Sequence, residues 1–207
     1  DANTYMVGGF AQGPVGAMNM GLQVVYGWSD WTVSRPMPLL GRTGQAKFDS
    51  TELRILGEIS HVFDLGGMDI APFLRGDVRH YSFDGFTETG AGGIGLIVEK
   101  RSHTYFSPEV GARLVGNMES SGATLHPEAS VSYTLHGGVG GSRDMAFIAD
   151  PTTIFRLQGS DPDAFWTFGA GLAAEIGSKT AAFARGFYST GGGQQGAAFN
   201  VGIRVGF

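Results

Sequence analysis

GAAFNVGIRVGF, residues 196–207, alternates without a break and stops on an aromatic at the last position. Phe199, Val201, Ile203, Val205 and Phe207 fall on one face of an extended strand, and Asn200, Gly202, Arg204 and Gly206 fall on the other. One face is apolar and the other is small or polar. A strand of a soluble sandwich can alternate in the same way, but such strands usually run on into turns. In a membrane barrel one face meets lipid and the other meets the lumen, so the alternation has a physical reason to persist along the whole strand.

The composition fits that reading. With 207 residues, 42% hydrophobic and 16% charged, the chain has the size of one domain and less charge than a typical soluble one. Its 35 glycines follow no collagen-like period. In helices each interior glycine would cost about 1 kcal/mol relative to Ala; in curved, closely packed strands and turns glycine is at home. The absence of Cys removes disulfides and thiolate metal sites. A formal net charge of −5 argues against nucleic acid as a partner. The uncharged run 2–29 contains Gly8, Gly9, Gly13, Pro14, Gly16 and Gly21, which excludes a membrane helix, and it has no basic leader region or cleavage site. Because the chain begins at Asp1 without Met, an upstream part is expected to be missing.

Moving back from the C-terminus, about ten strand-like segments are predicted, near the length that a tilted membrane strand needs. They are residues 5–12, 19–33, 49–63, 70–83, 90–100, 105–115, 125–136, 165–176, 180–189 and 196–207. In 19–33, Leu22, Val24, Tyr26 and Trp28 share a face, and Trp28 and Trp31 sit near one end as interfacial aromatics would. In 90–100, Ile94, Leu96 and Val98 are placed outward. For 180–189 no clean register emerges, because Phe183 and Phe187 share a face with Arg185. Residues 34–47, with Pro36, Pro38, Gly41 and Gly44, read as a loop, 64–69 (DLGGMD) as a tight hairpin turn, and 137–163 as the longest irregular stretch, holding a short apolar piece at 146–157. No unit of 20–50 residues repeats.

The most informative strand in the middle is 70–83, where Arg75, Asp77 and Arg79 alternate against Leu74, Gly76 and Val78. On the lipid side at mid-depth each charge would cost about 2–4 kcal/mol, so in a closed barrel they point into a wet lumen. The same logic makes Glu58, Glu99, Glu109, Arg113, Glu128, Glu175 and Arg204 lumen candidates. Such charges can hydrate and hold a segment threading the pore, or pair with one another to keep the lumen satisfied. The five histidines, His61, His80, His103, His126 and His136, have no metal-ligand spacing. Asp77 and His80 point to opposite faces of one strand and cannot form a dyad without a bulge. No serine has a supporting histidine spacing, and the glycine run 191–193 is followed by no Lys or helix. An enzyme, a metal or a cofactor is therefore not expected.

Several stretches taken in order resemble the β-domain of bacterial autotransporters, the translocators of type V secretion. They are YGW at 26–28, LGEISHVFDLGGMDIAPFLRGDVRHY at 56–81, DGFTETGAGG at 84–93 and the terminal strand, whose last Phe is similar to the signal read by the barrel-assembly machinery. Ile59 and His61 depart from the family pattern, which more often has aromatic and small residues there. The resemblance implies an antiparallel, up-and-down transmembrane β-barrel of twelve strands in the bacterial outer membrane, with a helix through its pore leading to an exported N-terminal passenger. The whole of 1–207 would be this translocator domain, with about ten of the twelve strands present and two strands, the linker and the covalently attached passenger upstream. Outer-membrane lipids and the barrel-assembly machinery would be its other partners.

Counting strands back from a periplasmic C-terminus puts 137–163 and 190–195 outside the cell and 34–47 on the periplasmic side. An incomplete sheet is expected to close poorly, since bare backbone groups at its edge would meet lipid. The alternatives are a self-standing small barrel, porin-like or adhesin-like, and an outer-membrane hydrolase.

Overall fold

The structure is a computed structural model that describes residues 1–120, 122–137, 142–159, 163–176 and 179–206. Nine long strands form one antiparallel meander. They are β1 (Ala2–Val15), β2 (Met18–Met37), β3 (Arg42–Ser60), β5 (Met68–Phe83), β8 (Arg101–Gly116), β10 (Ala123–Thr134), β13 (Phe165–Ile176), β14 (Thr180–Gly191) and β15 (Gln194–Val205). Two short pieces extend it, β4 (Phe63–Asp64) beside β5 and β9 (Met118–Ser120) beside β10. A second, four-stranded sheet in the order β12, β11, β7, β6 comes from the connections: β6 (Phe86–Thr87), β7 (Leu96–Val98), β11 (Ser142–Phe147) and β12 (Asp150–Gln158). Among the described residues no helix is long and apolar enough to cross a membrane.

The long strands run from 12 residues in β15 to 20 in β2. At about 3.3 Å per residue even the shortest spans roughly 40 Å, more than the apolar band of an outer-membrane barrel. Register carries one parity across the whole sheet. The row Phe10, Gln23, Leu56, Asp77, Ser107 crosses β1, β2, β3, β5 and β8 on one face. The row Glu128, Gly171, Arg185, Asn200 continues that face across β10, β13, β14 and β15. This face carries the charges. The opposite face carries Leu22, Val24, Ile55, Leu74, Val110 and Phe168, which are 38–57% exposed.

The sheet curves into a half-barrel, and among the described residues no second layer lies against its apolar face. Its exposed area is 13290 Å², where a compact protein of 21.8 kDa would expose about 9,300 Å². The polarity is inverted as well. Asp77, Ser132 and Thr134 are buried, whereas Phe199, Val201 and Ile203 are among the most exposed side chains. Of the buried apolar residues, Ala46, Ala91, Val98 and Ala146 lie at the end of the sheet where β6, β7, β11 and β12 gather, and Phe73 lies on the charged face.

The main sheet holds nine strands rather than the ten expected, and the difference falls in one place. Residues 90–100 do not cross the sheet: Gly92–Ile94 form a 3-10 turn and the following three residues are β7. Removing one strand inverts the parity of the count. Residues 34–47 therefore lie at the same end as 135–164, not at the opposite one. They are also not a loop. β2 and β3 stay paired from Asn19 with Ser60 as far as Met37 with Arg42, and a 3-10 turn at Pro38–Leu40 ending on left-handed Gly41 (φ 58°) joins them. Past residue 32, β2 has only β3 beside it, and such an edge tolerates Pro36. The apolar piece at 146–157 is most of the β11–β12 hairpin. The unclear register of 180–189 resolves with Phe183, Arg185 and Phe187 together on the charged face and Ala182, Ala184 and Tyr188 on the other.

Glycines let aromatics lie flat on the charged face. A Cβ at Gly111 would come within 2.6 Å of the Phe73 ring and of the Val131 carbonyl, whereas one at Gly57 would meet nothing within 4 Å. In the full-length protein, Gly111→Val is expected to cost about 2–3 kcal/mol by overpacking. It should lower the temperature at which the folded band disappears on a heat-modifiable gel, while Gly57→Ala leaves that temperature nearly unchanged.

Candidate functional site

The charged face owes its geometry to alternation plus curvature. On β5, Phe73, Arg75, Asp77 and Arg79 stand in a column, flanked by Glu58 and Arg54 of β3 and by Glu109 and Arg113 of β8. Glu58 accepts hydrogen bonds from Arg75 (Nε 3.0 Å, Nη2 2.7 Å) and a bidentate pair from Arg113 (both 2.7 Å). Arg75 also donates to Glu109 at 2.8 Å. The Phe73 ring lies under both guanidiniums, 4.2 Å from that of Arg113 and 5.1 Å from that of Arg75. Glu58 and Arg113 sit on strands separated by β5, so their contact reflects the concave side of a curved sheet.

Two more groups continue the belt. Asp77 takes Arg54 (3.0 and 2.7 Å) and Arg79 (3.1 and 2.8 Å) together. Across β13, Arg185 of β14 holds Glu128 of β10 with two bonds of 2.7 and 2.8 Å, room for which is left by Gly171. Five guanidiniums (Arg54, Arg75, Arg79, Arg113, Arg185) thus meet four carboxylates (Glu58, Asp77, Glu109, Glu128). The acids sit deeper than the arginines: side-chain exposure is 11–23% for the four acids and 28–40% for the five arginines. Such an arrangement is a satisfied, hydratable wall with little free charge of either sign.

Of the residues named from sequence, Glu58, Arg75, Asp77, Arg79, Glu109, Arg113 and Glu128 are brought together here. Glu175 and Arg204 share the face, on a row with Ala181 between them, but join no ion pair among the described residues. Glu99 lies off the main sheet, between β7 and β8, where its N–H donates to the Asp144 carbonyl. Arg54 and Arg185 are absent from the predicted lumen charges: strand parity already places Arg54 beside Glu58, whereas Arg185 is placed on this face only by the register of β14 with β13 and β15. Phe199, Val201, Ile203 and Val205 line the apolar face of β15 at 53–74% exposure, and Phe207 lies outside the described residues.

The girdle aromatics are on the apolar face. Tyr5 stacks on Trp28 (5.8 Å), and Tyr133 packs on Trp166 (4.8 Å). Trp31 is not one of them. It stacks on Phe48, which stacks on Phe86 (4.8 Å), on the charged side. The histidines scatter. His80 bonds Thr104, His126 bonds Asn117, His136 bonds Ser107, and His61 bonds the Ala17 carbonyl. Asp77 and His80 are on opposite faces, and among the described residues no group of three His, Asp or Glu could hold a metal.

Sequence reasoning missed the clamp at the end of the sheet. Arg35 of β2 grips Glu88 with two bonds (3.0 and 2.5 Å) and also donates to the Ile94 carbonyl. Glu88, 5% exposed, accepts the Leu96 N–H as well, and Gly44 leaves the space that its carboxylate fills. Arg42 donates to the Ala91 carbonyl. The sequence DGFTETGAGG at 84–93 is thus a segment pinned against the ends of β2 and β3 on the charged side.

A one-layer antiparallel sheet with lipid-type polarity outside and an ion-paired wall inside defines a β-barrel membrane domain of outer-membrane type. The sequence matches the autotransporter β-domain family over residues 1–186, and the chain belongs to that family. Among solved structures it is similar to the translocator domain of the autotransporter NalP from Neisseria meningitidis, at 19% identity and a TM-score of 0.66. That match covers 100% of this chain and 68% of the other. The β-domain of the Bordetella autotransporter BrkA is similar at 18% identity and a TM-score of 0.66, with 100% and 74% covered. No curated protein matches the sequence.

Glu58→Gln removes the charge that two arginines share. Discounted for partial exposure, a loss of about 1–3 kcal/mol is expected, with coupling of more than about 0.5 kcal/mol to Arg113→Gln in a double-mutant cycle.

Hydrogen bonding from Arg35 holds Glu88 below its ordinary carboxylate range. A depressed carboxylate stabilises above its unfolded value and loses that contribution as pH falls through the folded value. Hydrogen exchange of residues 84–96, taken relative to the intrinsic rate at each pH, should therefore accelerate only at pH values below the ordinary carboxylate range. Glu88→Gln should make it fast at neutral pH already.

Proposed function

We propose that this chain is the membrane-embedded translocator of an autotransporter: its apolar face lies against outer-membrane lipid, and its ion-paired face lines a wet lumen. Through or alongside that lumen passes a passenger covalently attached on its N-terminal side. The observation that carries the reading is the segregation of charge. Every member of the Glu58–Arg75–Glu109–Arg113, Arg54–Asp77–Arg79 and Glu128–Arg185 groups is on one face, and the exposed apolar residues of the central strands are on the other.

The lumen acts as a conduit, not a catalyst. The carboxylates of the belt, Glu58, Asp77, Glu109 and Glu128, are each held by arginines, and the near balance of charge there gives a passing chain nothing to bind tightly. Glu175 and Arg204 complete the polar lining, and Glu99 belongs to the outer mouth. The connections 38–41, 84–100 and 135–164 face the cell exterior, and the turns 16–17 and 61–67 face the periplasm. Phe199, Val201, Ile203 and Val205 of β15, with the terminal Phe207, are the residues that the barrel-assembly machinery reads.

β1 and β15 run in the same direction, because nine antiparallel strands separate their outer edges. An all-antiparallel closure needs an odd number of further strands, and three would give the twelve of the family. The Met6 and Phe10 edge of β1 and the β15 edge are the seams at which they pair.

The test uses the full-length protein with an epitope inserted in the polypeptide preceding these strands. Antibody added to intact cells is expected to label it, and external protease to remove it while the barrel band survives. An epitope retained in the periplasm, with the barrel folded in the outer membrane, would reject export in favour of a self-standing barrel.

A further inference from the structure

Each arginine of the belt has a carboxylate within hydrogen-bond reach. At the end of the main sheet where the second sheet gathers, two arginines have none. Arg101 of β8 stands directly opposite Phe83 of β5, on the charged face. Arg143 of β11 reaches the same ring from the second sheet, its guanidinium 4.9 Å from the ring centroid. Both are half-buried, and neither joins an ion pair among the described residues.

The acids nearby are engaged or face elsewhere. Glu88 is held by Arg35, and Asp84 by Lys100 at 3.0 Å. Asp144 follows Arg143 in sequence, so it points to the other face of β11, where Arg156 holds it. Glu52 shares the charged face, but Tyr81 stands between it and β8.

A third donor on the same patch is orphaned. His103, two residues along β8 from Arg101 and so on the same face, has its Nε2 buried with no hydrogen-bond partner among the described residues. Its ring is set edge-on against Tyr105, at 4.2 Å. A guanidinium does not escape burial by shedding its proton. Burial, and after it the charge of Arg101, hold Arg143 below its ordinary range. Two like charges are thus drawn together, and an anion joining them would relieve both.

We propose that Arg101, Arg143 and His103 form a binding site for a tetrahedral oxyanion, a phosphate or sulfate group, beside the Phe83 ring. Two planar guanidinium forks and an imidazole N–H, carried by strands of two different sheets, can serve three oxygens at once, whereas a carboxylate presents only two. The group can arrive as the free ion or as the phosphate of a sugar. The site stands on these side chains alone and is independent of what passes through the lumen.

The test titrates the folded full-length protein in neutral detergent with inorganic phosphate, against sodium chloride at equal ionic strength. A saturable rise in the temperature at which the heat-modifiable folded band disappears is expected with phosphate and not with chloride. Arg101→Gln and Arg143→Gln should each weaken the apparent affinity about tenfold or more. Arg156→Gln, which removes an exposed cation of the same hairpin, should leave it unchanged. Line broadening of the phosphate phosphorus resonance gives the affinity without heating, so a variant that melts early still reports. Glucose 1-phosphate binding more tightly than inorganic phosphate would assign the group to a sugar, and equal affinity would assign it to the free ion. No rise beyond that with chloride, or a rise that survives in both arginine variants, would overturn the site. So would a rise that appears only after Asp161→Asn, since the chain would then supply its own anion.

Discussion

A single-layered sheet has nothing to bury itself against, so each strand has to satisfy two different solvents at once. That constraint shapes every other feature of this protein. Strands of 12–20 residues are needed to cross an apolar band, alternation must hold without slips because a one-residue shift would send arginines into lipid, and all backbone groups must be paired along the strand. The polar interior then brings its own demand. Carboxylates such as Asp77 and Glu58, drawn in by curvature, are stable there only because two arginines reach each of them.

Curvature is also why glycine is abundant. Where long side chains converge on the concave side, a residue without a side chain gives them room: Gly171 beside Arg185, Gly111 beneath Phe73 and Gly202 beneath Phe183. The outer end solves a separate problem. There β2 runs past β1 with one edge bare, and the second sheet, fastened by Arg35 to Glu88 and by Phe86 to Phe48, supplies packing of the conventional kind.

Much of this was legible in the sequence, because alternation is a local property. Leu74, Gly76 and Val78 against Arg75, Asp77 and Arg79 gave the face of β5, and the terminal strand gave that of β15. The failures have a common cause in information that is not local. Ile94, Leu96 and Val98 do alternate, but the segment pairs with β11, some fifty residues on, and not with the main sheet. Composition made 34–47 look like a loop, and only the bare edge of β2 explains why Pro36 is tolerated in a strand there. Arg35 and Glu88 are 53 residues apart and carry no motif that links them. Phe183 and Phe187 looked misplaced beside Arg185 until their glycine partners on neighbouring strands were in view.

The central claim is that the two faces of the sheet see lipid and water respectively, and the three tryptophans are placed to decide it. Trp28 and Trp166 are on the apolar face, and Trp31 is on the charged one, stacked on Phe48. Single-tryptophan forms of the full-length protein, refolded into vesicles of lipids brominated on their acyl chains, report contact with lipid through fluorescence quenching. The account predicts strong quenching of Trp28 and Trp166 and little of Trp31. Equal quenching of all three, or quenching of Trp31 alone, would contradict it.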